Sequence, residues 1–274
     1  MLSTAEWDRR WSLTIDDIAL TEMDFSFKVH RSLKSEPNTC SVIVYNLSDA
    51  TRKHLETKKN PVMRLEAGYV GSISQIYLGQ IRTVHTTIEG ANTATEFSSG
   101  DGEAAMQKGR INAGIGPKTS PDVVLRQIAK QLDLKPGNLE QAIAVLKSKG
   151  LTTLYASGTV LSGNAAQSMT DFCRSAGLEW SVQDGAIQIL GRGKALDTAN
   201  AILISTHTGM VGSPDINSKN KLSVKTLITP GLLPGTRIQV ESKLVQGFFR
   251  IESVDYTGET FSKPWYCDIV GGKY

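Results

Sequence analysis

The chain has 274 residues, 40% of them hydrophobic and 21% charged, with a formal net charge of +3, values ordinary for a soluble globular protein with room for two or three modest domains. No third of the sequence departs from neutrality by more than about two charges, which excludes the basic footprint that phosphate-backbone binding requires. The opening stretch MLSTAEWDRRW is polar, and no run approaches the ~20 apolar residues of a membrane span, so neither a signal peptide nor membrane insertion is expected.

The first hundred residues read as β. SLTIDDIAL, DFSFKVH and TCSVIVYNL alternate or carry β-branched residues. SDATRKHLETKK follows as a helix with Ser48 as its N-cap. Strands resume with VMRLEAGYV, ISQIYLGQIRTVHTTIEG and TATEFSSG, with Gly71, Gly90 and Asn92 at the turns. From about residue 102 the texture changes. TSPDVVLRQIAKQLDL has Ser120 as cap, Pro121 at the first helical position and Val124, Leu125, Ile128 and Leu132 at helical spacing. LEQAIAVLKSKG predicts a second helix. SGNAAQSMTDFCRSAG predicts a third, capped by Ser162 or Asn164 and stopped at Gly177. LEWSVQDGAIQIL reads as a hairpin turning on Asp184-Gly185. From about residue 200, AILIS, LSVKTLI, TRIQVES, FFRIESVDYT and KPWYCDIV return to β texture. The fold class is therefore mostly β with an α+β insert, divided at 1–102, 103–198 and 199–274.

The two β portions look duplicated. YLGQIRTVHTTIEGANTATEFSSGDG at 77–102 aligns without a gap on GFFRIESVDYTGETFSKPWYCDIVGG at 247–272, with Ile81 on Ile251, Val84 on Val254 and Gly102 on Gly272. Upstream, TCSVIVYNLS resembles LSVKTLITP and VMRLEAG resembles RIQVES. The first copy inserts the helical SDATRKHLETKKN where the second has only PGLLPG.

Catalytic patterns are missing. His30, His54, His85 and His207 share no i, i+3 or i+4 spacing, and no H-E-x-x-H occurs. No G-x-S-x-G elbow is present, and Ser218-Lys219-Asn220-Lys221 fits S-x-x-K only inside a polar turn. Asp16-Asp17 would point to opposite faces of a strand, and Asp101-Gly102-Glu103 suits a helix N-terminus. Cys40, Cys173 and Cys267 are far apart and are expected as buried free thiols. No catalytic residue, cofactor site or metal site is expected. HTGMVGSP, residues 207–214, is rich enough in glycine to raise the question of a phosphate loop. It ends on Pro214, a polar turn and a strand follow it, and no helix supplies N–H groups. It is expected as a corner hinged at Gly209 and Gly212 with an apolar Met210-Val211 tip.

In order and spacing, Gly209 to Pro214, Leu227 to Gly235, Gly247 to Val254 and Trp265-Tyr266 resemble the C-terminal part of baseplate hub proteins of contractile-tailed phages. GQIRTVHTTIEG running into SSGDGEAAM is similar to the same family's first β-domain and its junction with a middle domain. The resemblance implies two tail-tube-like β-barrel or sandwich domains per chain beside a small α+β domain, and three copies in a ring. It implies a non-enzymatic structural hub that adapts a six-fold tail tube to a three-fold central spike and lines a DNA channel, with DNA only in transit. The partners are then the chain itself, the tail tube protein and the central spike protein, with the tape-measure protein and other baseplate proteins beyond them. The location is the virion tail, after synthesis in the host cytoplasm. Met210, Val211, Leu232 and Leu233 are the candidate interaction residues. The alternatives are a tail-associated cell-wall hydrolase, and the hub of a phage-tail-like bacteriocin or secretion machine.

Overall fold

A computed structural model of the chain describes residues 8–20, 23–151, 154–196 and 201–273. The first β portion contains β1 (Arg9–Ile15), β2 (Ile18–Ala19), β3 (Phe25–Ser32), β4 (Asn38–Tyr45), α1 (Asp49–Thr57), β5 (Val62–Tyr69), β6 (Ser72–Glu89) and β7 (Asn92–Asp101). The insert contains α2 (Glu103–Lys108), β8 (Arg110–Ile115), α3 (Pro121–Leu132), α4 (Leu139–Ser148), β9 (Thr159–Asn164), α5 (Ala165–Ser175), β10 (Leu178–Gln183) and β11 (Ala186–Gly191). The last portion contains β12 (Ile202–Ser205), β13 (Met210–Ile216), β14 (Lys221–Leu227), β15 (Arg237–Glu241), β16 (Gln246–Glu259) and β17 (Trp265–Gly272). Contacts group the chain into two units. One comprises Met1–Ser32, Asn38–Asp101 and Leu196–Tyr274; the other comprises Leu33–Pro37 and Gly102–Ala195. The expected boundary at 198/199 falls outside the described residues.

In the first unit the strands run β13-β14-β17-β16-β3-β4-β7-β6-β5-β1-β2, with β15 bridging β12 and β16. Alternation explains how the sheet buries one face. Along β4, Cys40, Val42 and Val44 face the core while the residues between them stay half-exposed or exposed. The sequence portions on either side of the insert contribute to one hydrophobic cluster, from Leu13, Phe25, Val42 and Leu65 to Val224, Ile238, Phe249 and Ile269. α1 begins where Ser48 Oγ accepts the Thr51 N–H at 3.1 Å, as its cap chemistry predicts.

The repeat is visible in the strand registers. β4-β7-β6-β5 and β14-β17-β16-β15 pair in the same order, all antiparallel. β6 carries a bulge between Ile81 and Thr83, and β16 carries one between Ile251 and Ser253. A bulge adds one residue and local twist, so two at matching places are a shared feature of the copies. Past the bulge, Val84 pairs with Phe97 and Val254 pairs with Ile269. The first strands therefore align as expected, but the second strands do not. Gly100 pairs with Gln80 and Gly272 with Arg250, so Gly272 corresponds to Gly100 rather than to Gly102. The turn between β16 and β17 is two residues longer than the β6–β7 turn, and this displaces the gapless alignment. The copies also differ where the sequence indicates: α1 joins β4 to β5, whereas no helix joins β14 to β15.

The second unit has its own core, in which Val124, Leu125, Ile128 and Leu132 of α3 meet Phe172 of α5 and Trp180 of β10. Asn164 caps α5 by accepting the Gln167 N–H at 3.0 Å. Asp184 and Gly185 have φ of 54° and 73°, the two positive values of a primed hairpin turn, as the dipeptide predicts. The β8–β9 ribbon is absent from the sequence reading. Its strands RINAGI and TVLSGN bury only Ile111 and Ile115 fully, leaving too little alternation to mark them.

Candidate functional site

The two repeats of the first unit are joined where β16 pairs with β3. Ser253 to Glu259 lie opposite Ser32 to Ser26 in antiparallel register. Phe25 and Phe27 from β3 meet Trp265 from β17 and Trp11 from β1. Ring centroids are 5.3 Å apart for Phe27–Trp265, 6.1 Å for Trp11–Trp265 and 6.2 Å for Trp11–Phe25, each edge-on. Trp265 Nε1 donates to the Gly68 carbonyl at 3.2 Å, and the Arg9 guanidinium lies 5.3 Å from the Trp265 ring. Gly258 stands opposite Phe27, and a Cβ there would come within 2.3 Å of the Phe27 ring. A glycine is what lets the ring close over β16. On the outer face His30 Nδ1 and Asp255 Oδ1 are 2.7 Å apart across the same joint.

The segment 207–214 is a corner leading into a strand. Thr208 Oγ1 accepts the Ser205 N–H at 2.8 Å and donates to the Leu203 carbonyl at 2.8 Å. Gly209 and Gly212 have φ of 99° and 73°, as expected for hinges. The Gly209 carbonyl accepts the Leu227 N–H at 2.9 Å and the Thr226 hydroxyl at 3.0 Å. Residues 210–216 then form β13, a strand that the sequence reading leaves out because Gly212 and Pro214 interrupt its alternation. Both lie within a bulge of its pairing with β14, between Val211 and Asp215.

Of the four candidate interaction residues, Met210 and Leu232 point into the core and are 9% and 0% exposed. The Leu232 carbonyl accepts the Tyr256 hydroxyl at 2.5 Å. Val211 is 36% exposed on β13, and Leu233 is half-buried. The four therefore do not form one surface. The sequence pattern marks them as apolar, but burial depends on which side of the strand or loop each one occupies.

The polar candidates are accounted for locally. Asp16 and Asp17 lie in a turn between β1 and β2 rather than within a strand, and Lys58 Nζ reaches both, at 3.4 and 2.5 Å. The hydrogen bond from Lys58 holds the Asp17 carboxyl below the usual carboxylate range. Asp16, at φ 50°, also accepts the Val62 N–H at 2.7 Å. In the turn after β13, Asn217 Oδ1 accepts the Lys219 and Lys221 N–H groups at 2.9 and 3.0 Å, a side-chain-closed turn. Cys40, Cys173 and Cys267 are buried and free. Burial pushes all three thiols up, that of Cys173 to about 12. Among the described residues, no three His, Cys, Asp or Glu side chains converge as metal ligands would. No helix of the described residues is long and apolar enough to cross a membrane. What this arrangement offers chemically is β-sheet surface and strand edge.

One family model and several solved structures are similar to this chain. The family model described as baseplate hub gp41 matches residues 10–271. No curated protein matches the chain. Among solved structures, the chain is similar to the 43 kDa tail protein of prophage MuSo2 from Shewanella oneidensis, with a TM-score of 0.65 at 8% identity over 97% of this chain and 98% of that one. It is similar to the tail protein from Neisseria meningitidis MC58, with a TM-score of 0.64 at 10% identity over 96% of each. A third similar structure is the E. coli c3393 protein, described as a component of the type VI secretion system with structural similarity to T4 bacteriophage tail proteins gp27 and gp5. There the TM-score is 0.57 at 11% identity over 96% of this chain and 76% of that one. At such identities the likeness is one of fold.

Proposed function

The chain belongs to the baseplate hub gp41 family, whose role is structural, and from that premise we propose that three copies form a ring joining a tail tube to a central spike. The observation that carries this reading is the duplication within one sheet, β4-β7-β6-β5 and β14-β17-β16-β15 joined through β3 and β16. Three chains present six similar β-units. A ring of that kind meets a six-fold tube on one side and a three-fold spike on the other, and its contacts are heterologous and must close. The three-part division proposed is a tail-tube-like domain at 1–102, an α+β domain at 103–198 and a second tail-tube-like domain at 199–274. The channel of the ring passes DNA, and a near-neutral chain suits passage because it does not hold the phosphates. The proposed partners are the tube and spike proteins, in the tail of a contractile virion. The fold shared with the E. coli secretion-system component supports a second reading, the same hub in an injection machine that carries no DNA.

The test is the mass of the purified protein by light scattering, followed by particle imaging. Three chains in a ring of six lobes support the reading. A chain that stays monomeric when mixed with tube and spike proteins refutes it.

A further inference from the structure

The joint between the repeats inside the chain has a counterpart that the single chain leaves unfilled. In β16 the residues after the bulge, Ser253 to Glu259, are paired on both sides, with β17 and with β3. Among the described residues the matching part of β6, Thr83 to Glu89, pairs with β7 alone, because β5 ends its pairing at Gln80. Burial follows from this difference. Val254 and Tyr256 are 0% and 1% exposed, whereas their counterparts Val84 and Thr86 are only half-buried. Ile88, the counterpart of Gly258, is 80% exposed. An apolar side chain standing free on a strand edge is a liability unless a partner covers it.

The strand that would cover it is identified by the same registers. Ile81 pairs with Ser99 and Ile251 with Gly271, so Ser99 and Gly271 correspond. Cys40 pairs with Ser99 and Leu222 with Gly271, so Cys40 and Leu222 correspond. Val29 pairs with Cys40 and Ile216 with Leu222. β13 is therefore the second copy's equivalent of β3. Among the described residues β13 pairs with β14 only. Among the described residues the β3–β16 pattern thus leaves one unfilled edge of each kind, β6 and β13. Among the described residues these two edges do not pair with each other, and a second copy can meet them with the geometry of the internal joint.

We propose that the edge of β6 at residues 83–89 binds β13 of a second copy of this chain, antiparallel, with Thr86 opposite Ile216, Thr87 opposite Asp215 and Ile88 seated at the Gly212–Pro214 bulge. The register is that of Tyr256 with Val29, Thr257 with Lys28 and Gly258 with Phe27 inside the chain. Side-chain sizes are exchanged between the two joints. Inside the chain the glycine lies on β16 and the large ring on β3. In the proposed joint the large side chain, Ile88, lies on β6, and the small residues Gly212 and Ser213 lie on β13. Gly212 has nothing within 4 Å of the position a Cβ would take, so the bulge has open space to receive Ile88. The bulge and Pro214 also deter pairing with an unselected strand. A concavity of about 380 Å³ beside this edge is lined by Leu55, Lys58, Pro61, Ile81 and Val84 among others; Val84 is the counterpart of Val254, which Arg31 at the far end of β3 faces in the internal joint. It would receive the 217–220 turn of the neighbour.

This inference rests on the trimeric-ring reading, and disulfide trapping separates the two. The pairs Thr87→Cys with Asp215→Cys, and Thr86→Cys with Ile216→Cys, cover both kinds of antiparallel neighbour. Oxidised with copper–phenanthroline, at least one pair is expected to give a chain-to-chain disulfide and a denaturing-gel ladder that stops at three chains. Thr83→Cys with Asp215→Cys, four residues out of register and about 13 Å away, is expected to give none. Ile88→Glu, at an exposed site, is expected to cut the native mass from three chains to one while circular dichroism stays unchanged. A three-chain mass without trapping by either pair, or with Ile88→Glu still trimeric, overturns this joint and leaves the ring standing. A disulfide confined to one chain also overturns it. An unmodified chain that is monomeric overturns both.

Discussion

Replacing Trp265 with Ala tests whether the aromatic cluster holds the two repeats together. Trp265 is 1% exposed, and truncating a fully buried large aromatic side chain costs about 3–5 kcal/mol through lost transfer energy and the cavity left behind. Its edge-on contacts with Phe27 and Trp11 and its hydrogen bond to Gly68 place the expected loss at the upper end, about 4–5 kcal/mol. Trp265→Phe keeps a ring and loses the N–H donor, so about 1–2 kcal/mol is expected. Amide hydrogen exchange read by mass spectrometry resolves the effect by segment. Protection should fall in peptides from β1, β3, β16 and β17, and the β10–β11 hairpin should keep its protection. A loss below about 1 kcal/mol in β3 and β16 for the Ala variant would refute the reasoning, because the joint would then be held by its backbone pairing alone.

Three further outcomes follow from local geometry. Gly137 has φ of 52°, and a Cβ would lie 2.0 Å from the Ile187 carbonyl oxygen, so Gly137→Ala should destabilise the second unit by about 2 kcal/mol or more, read as a lower thermal midpoint; an unchanged midpoint would contradict the close approach. Lys58→Ala should raise the Asp17 titration towards the ordinary carboxylate value in side-chain NMR. Because the folded-state pKa is depressed, the Lys58 contribution is present above the unfolded value of about 4 and is lost as pH falls through the folded one, so wild type and variant should converge in acid. The Cys40, Cys173 and Cys267 thiols, buried with raised pKa, should react with a chromogenic disulfide reagent at pH 8 only after denaturant is added; prompt labelling of any one would refute their burial.

What the sequence determined by itself is what short-range chemistry encodes. Alternation marked β3, β4 and β16. Ser48 marked one helix start, Ser162 or Asn164 marked another, and Asp184-Gly185 marked a hairpin. Even the correspondence of Ile81 with Ile251 was readable, because both lie on strands with the same apolar period. What only the tertiary structure decided depends on pairing between distant residues. The two-residue difference between the repeat turns appears once Gly100 and Gly272 are seen opposite Gln80 and Arg250. The β8–β9 ribbon is stabilised by its partner strand rather than by its own composition. Asp16 and Asp17 share Lys58 because a turn brings them to it. Met210 and Val211 are chemically alike, yet β13 turns one into the core and the other outward. An edge strand and a central strand can carry similar residues, and only the sheet order shows that, among the described residues, β3 has a partner on each side while β13 and the far half of β6 have one. The hydrogen-bonding groups of a strand are the same whatever its sequence, so its local composition does not specify which edge they will meet.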